Sequence, residues 1–133
     1  MPNPRYILGV DPTPPLLEKL KLGHQVFHAN LDWFAQKYGL DLEDRTNMAK
    51  IEGVFLIGSH AEFERWDDAF SDVDFKLVNS FALPMNMQIY KKEVLDRLLH
   101  DGEKRNWVDM FFVQRDDQVM EPRYDLTSYW NSF

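Results

Sequence analysis

Apolar positions change their period several times along the chain, and each change marks a new element. Leu16, Leu20, Phe27, Leu31, Phe34 and Tyr38 recur at steps of about one or two helical turns. That spacing predicts a helix over about 15–38, with one apolar face. Thr13 is placed to cap it, proline at 14 or 15 suits its first turn, and Gly39 is a natural stop. Gly23 is a weak point inside this helix and is expected to mark a break. Residues 40–50 are polar, with room for a short helical turn. The run at 51–57 reads as a strand, 59–66 as a short helix and 67–71 as a loop. Val73, Phe75 and Leu77 then alternate with Asp72, Asp74 and Lys76, the period of a strand with one face in the core. Pro84 or Asn86 opens a second amphipathic helix reaching about residue 100. Its expected stripe is Met87, Tyr90, Val94 and Leu98, backed by Leu95 and Leu99, and Gly102 ends it. Residues 107–113 are apolar on both faces, which predicts a central strand. An aromatic tail follows: Tyr124, Tyr129, Trp130 and Phe133, read as packing residues.

These elements imply a single domain over 1–133, α+β in class. A mixed sheet would hold 51–57, 72–78 and 107–113 side by side, flanked by helices. The sequence core is 51–113. Residues 1–14 form an extended, proline-rich segment, with 6–10 as a possible edge strand. The 133 residues suffice for one core. No apolar stretch approaches 20 residues, and the N-terminus lacks a signal-peptide core. The expectation is therefore no membrane association and a cytoplasmic location. The absence of cysteine excludes a disulfide scaffold and a thiolate zinc site. The net charge of −7 argues against non-specific nucleic-acid binding. It does not exclude a small anionic substrate, because a bound cation inverts the local field. The basic pairs Lys91-Lys92 and Lys104-Arg105 read as solvated surface.

Chemistry concentrates in three places. Asp72 and Asp74 sit two apart on a strand, so both carboxylates point to one side, about 7 Å apart at the backbone. Asp109 interrupts the apolar run at 107–113, and an acid there is costly unless something pairs with it. A buried Lys or Arg such as Lys76 is one candidate partner. A hard divalent cation held by Asp72, Asp74 and Asp109 together is the other. Gly58-Ser59 lies where a strand hands over to a helix. Free backbone N–H groups there suit a phosphate, and glycine allows its close approach. His60 follows directly and is a further phosphate candidate. His24 and His28 are one helical turn apart, but with no further ligand they read as packing residues.

In this order, Gly58-Ser59, Asp72-x-Asp74 and then Asp109 in a later strand, the chain resembles the nucleotidyltransferase fold superfamily. It is most similar to the minimal nucleotidyltransferases, through Ser71-Asp72-Val73-Asp74-Phe75. The resemblance spans about 51–113 and implies a polymerase-beta-like fold. It implies Mg²⁺ or Mn²⁺ on Asp72, Asp74 and Asp109, which would be the catalytic residues. It also implies an NTP, most simply ATP, bound at Gly58, Ser59 and His60. The implied activity is transfer of a nucleotidyl group, most simply AMP, to a hydroxyl on a protein, a small molecule or an RNA end. So short a chain leaves little room for an acceptor domain, so a protein partner or a second copy would supply it. The alternative is an inactive, nucleotidyltransferase-fold binding module, or an antitoxin-like partner of a small helical protein. The acidic stretch after Ser59 motivates that alternative. A glycosyltransferase-type Asp-x-Asp fits less well, since such folds generally need a longer chain.

Overall fold

The computed structural model describes residues 14–58 and 72–133. Their architecture is a four-stranded mixed sheet with helices packed on one face. The chain runs α1 (Pro14–Ala29), α2 (Leu31–Tyr38), α3 (Leu42–Met48), β1 (Gly53–Ile57) and β2 (Val73–Val78). It continues as α4 (Pro84–Tyr90), a π-helical turn (Lys91–Leu95) and α5 (Asp96–Leu99). Then come β3 (Val108–Val113), the short β4 (Tyr124–Asp125) and α6 (Thr127–Ser132). Strand order is β3-β2-β1-β4. β1 runs antiparallel to β2 and β4, and β2 runs parallel to β3.

Strand alternation builds the core. Leu56, Phe75 and Met110 form one cross-strand row, and Val54, Leu77 and Phe112 the next. All six are buried, together with Phe27, Leu31 and Phe34 from the helices. Burial of this inner face supplies the main drive for folding. The outer face carries a smaller cluster of Phe55, Val78 and Val119, with Ile57 and Val113 packed against it. Asn79, at the end of β2, is the buried polar exception. It donates to the carbonyls of Asn47 and Met48 and accepts from the N–H groups of Phe81 and Ala82. Every polar group of its amide is thereby satisfied.

Three expectations are corrected. The first helix breaks at Asn30, not at Gly23. Asn30 Nδ2 donates back to the Val26 carbonyl at 2.8 Å, competing with the helical ladder. Gly23 lies within α1 for another reason. A Cβ there would stand 3.2 Å from Met110 Sδ, so glycine lets the helix lie close on β3. Residues 107–113 form the edge strand of the described sheet, not its centre. The apolar residues of its outer side are only partly shielded: Lys91 Nζ lies 4.6 Å from the ring centroid of Phe111, which remains 36% exposed, and Trp107 stacks on His100. Finally, Leu98 does not belong to the apolar stripe. The π-helical turn adds a residue and shifts the phase, burying Leu95 and Leu99 and leaving Leu98 52% exposed.

Other expectations hold. α2 stops at Gly39, the short helix α3 falls within 40–50, and Pro84 occupies the first turn of α4. Trp130 of the aromatic tail packs against His24 and Phe27 of α1. The segment 1–13, the helix expected at 59–66 and the loop at 67–71 lie outside the described residues. Among the described residues, no helix is long and apolar enough to cross a membrane.

Candidate metal centre

The parallel pairing of β2 and β3 sets the geometry. Asp74 stands directly opposite Asp109, and both point to the outer face, away from the core rows. Val73 N–H donates to the Trp107 carbonyl at 3.2 Å, extending the ladder to the strand entrance. Asp72, two residues before Asp74, projects to the same side. The three carboxylates each offer an oxygen, all within 4.8 Å of one another, and all three residues are half-buried.

Like charges packed this closely resist ionisation. The Asp74 carboxyl is pushed up to about 7. Desolvation is the largest cause, followed by its hydrogen bond with Asp109 and the charges of Asp109 and Asp72. Asp109 is also raised, first by burial and then by a hydrogen bond with Asp72. The field that makes these groups hold a proton would equally favour a cation. An all-carboxylate donor set suits a hard divalent ion such as Mg²⁺ or Mn²⁺.

Gly58 completes the wall of this cluster. It follows Ile57, which pairs with Asp74 across β1 and β2. Its φ is +72°, and a Cβ added there would stand 2.3 Å from Asp74 Oδ2. Only glycine fits, both for the left-handed backbone and for the closeness of the carboxylate.

The structure adds residues that the sequence reading passed over. His100, just past the end of α5, places Nε2 in contact with Asp109 Oδ1 and 3.7 Å from Asp96 Oδ1. The side chain beside Asp109 is thus His100, not Lys76, which instead pairs across the sheet with Phe55 and Phe111. Trp107 stacks on the His100 ring, with centroids 4.5 Å apart and planes 7° from parallel. Asp96 is held in turn by Lys91 Nζ at 2.8 Å. Lys104, read from sequence as solvated, carries a charge that acts on Asp74 and opposes the rise of its pKa. The helical spacing of Asp96 and His100 was a signal available in the sequence; for Lys104 there was none.

The structure brings Asp72, Asp74, Asp109 and Gly58 together. Ser59 and His60 lie outside the described residues. His24 and His28 pack against each other, with ring centroids 4.5 Å apart, and both touch Trp130. Burial lowers the pKa of each, as expected of packing residues.

No protein-family model matches the chain, and no curated protein or solved structure matches it. The functional reading therefore rests on the residues and their geometry.

Proposed function

We propose that this chain is a magnesium- or manganese-dependent nucleotidyltransferase. The observation that carries the reading is the convergence of Asp72, Asp74 and Asp109 on one sheet face, with Gly58 against Asp74. Asp72, Asp74 and Asp109 would hold the cation. A divalent cation held there would supply positive charge to stabilise a triphosphate and its departing pyrophosphate. Gly58 keeps the backbone low beside the carboxylates, and Ser59 and His60 are proposed to contact the phosphates. Lys104 adds a positive charge at the same end of the sheet. In the proposed reaction an acceptor hydroxyl oxygen forms a bond to the α-phosphorus of ATP. The bond to the bridging oxygen breaks, pyrophosphate departs, and the hydroxyl proton passes to solvent. The acceptor is a hydroxyl of a protein, a small molecule or an RNA end, presented by a partner protein or a second copy.

One observation favours a rival, the non-catalytic binding module that would act through a small helical partner. His100 already gives Asp109 a cation-capable neighbour, which a site without metal would retain. Titration calorimetry with Mg²⁺, followed by transfer of label from α-labelled ATP to candidate acceptors, separates the two. Asp72→Ala and Asp74→Ala are expected to abolish both signals. Ser59→Ala is expected to lower transfer by roughly ten- to a hundred-fold, from one lost hydrogen bond to a charged group. Equal Mg²⁺ affinity in wild type and Asp74→Ala would overturn the assignment.

A further inference from the structure

Asp109 differs from the other two acids in having a braced neighbour. His100 Nε2 is shut off from solvent and has no hydrogen-bond partner of good geometry. It meets carboxylate oxygen on two sides, from Asp109 and Asp96. The ring cannot easily turn away. Trp107 covers one face in a near-parallel stack, and Trp107 Nε1 is itself tied to the Gly102 carbonyl at 3.2 Å. His100 N–H closes the end of α5 on the Asp96 carbonyl at 3.0 Å. A buried polar nitrogen without a directed bond is unfavourable. Packing alone would place carbon there, not a nitrogen aimed at two carboxylates.

We propose that His100 is a positioning residue that fixes the Asp109 carboxylate for cation binding, an inference that rests on the metal-centre reading above. A carboxylate has two oxygens. His100 Nε2 contacts Asp109 Oδ1, and the same carboxylate joins the cluster with Asp72 and Asp74. Groups that orient a ligand from behind commonly govern metal affinity by ten- to a hundred-fold. Asp96, paired with Lys91 Nζ at 2.8 Å, lies 3.7 Å from the same nitrogen and keeps negative charge beside it. In this role His100 acts through Asp109 and is not itself a ligand, although Asp96, His100 and Asp109 also lie within 4.8 Å of one another.

The test is Mn²⁺ and Mg²⁺ affinity of the full chain by calorimetry, with urea stability measured in parallel. His100→Ala is expected to weaken binding by roughly ten- to a hundred-fold. His100→Gln, which keeps a donor at about the Nε2 position, is expected to recover much of that loss. In wild type the His100 ring signals in NMR spectra are expected to shift as Mg²⁺ is added, and to remain still in Asp109→Asn. A purely structural role predicts lower urea stability with unchanged affinity. That result, or binding equally weakened in His100→Ala and His100→Gln, overturns the proposal. If wild type binds Mn²⁺ and Asp74→Ala does not, while His100→Ala matches wild type, the positioning role fails and the metal centre stands. If wild type binds neither ion, both fall.

Discussion

Replacing Asp74 by Asn removes a charge that the folded chain holds against its own field. The Asp74 carboxyl rises from 3.8 to about 7, mainly by desolvation and by the neighbouring Asp109. The sign follows from linkage. Below about pH 4 the group is protonated in both folded and unfolded chains and contributes nothing. Between 3.8 and about 7 the folded chain holds the proton more tightly, so stability falls as pH rises. Above about 7 the penalty is complete. Taken at full value, this rise corresponds to ~4 kcal/mol. Asp74 is half-exposed, and screening by water brings the expected penalty to about 1–2 kcal/mol. Asn has nearly the same shape and no charge. In urea unfolding with a chelator present, Asp74→Asn is therefore expected to be about 1–2 kcal/mol more stable than wild type at pH 8.5 and nearly equal to it at pH 4. Saturating Mg²⁺ should reverse the order at pH 8.5. A ligand at a hundred times its dissociation constant stabilises the folded state by ~2.7 kcal/mol. A difference independent of pH, or a wild type more stable than Asp74→Asn at pH 8.5 without metal, would refute the electrostatic argument.

Three further outcomes are expected. Gly58→Ala should lose at least ~1–2 kcal/mol for the left-handed backbone, and should also displace the Asp74 carboxylate; unchanged urea stability together with unchanged Mg²⁺ affinity would contradict this. Asn79→Ala should cost about 2–3 kcal/mol, because it removes two donors and a doubly used acceptor at a buried site; a loss below ~0.5 kcal/mol in urea titration would show that water replaces the amide. Gly23→Leu should cost about 1–3 kcal/mol by forcing α1 away from Met110, whereas Gly23→Ala should be near neutral, since its gain of ~1 kcal/mol in helix propensity offsets a single tight contact with a flexible methionine. Equal stability of the two Gly23 variants would mean that the helix does not sit close on the strand.

Much of the fold was legible because periodicity records which face is buried. Val73, Phe75 and Leu77 announced their strand by alternation alone, and all three enter the core. The helix at 14–29 was equally plain from Leu16, Leu20 and Phe27. Where the reading failed, the deciding contact was long-range or off-period. Trp107 and Phe111 look like the second buried face of a central strand. Trp107 instead stacks on His100, and Phe111 stays 36% exposed with Lys91 Nζ over its ring. The π-helical turn at Lys91–Leu95 has no local signature, yet it moves burial from Leu98 to Leu99. Gly23 reads as a helix flaw until Met110, far along the chain, is brought against it.

The acids of the candidate site were legible for a different reason. Asp109 interrupts an apolar run, which is costly unless something pairs with it, and Asp72 and Asp74 share the polar face of an alternating strand. Their convergence is then fixed by the core. Phe75 faces Met110 and Leu77 faces Phe112 on the inner side, and this register forces Asp74 opposite Asp109 on the outer side. A one-residue slip of β3 would turn Asp109 inward and Met110 outward. The packing of the inner face therefore holds the carboxylates together against their repulsion. His100 and Lys104 lie in the polar stretch 100–106, outside any apolar pattern, and reach the site through the segment that joins α5 to β3. The division has a physical consequence. Substitutions among the acids change charge without freeing the register, whereas a substitution such as Met110→Ala loosens the constraint that keeps the acids opposed.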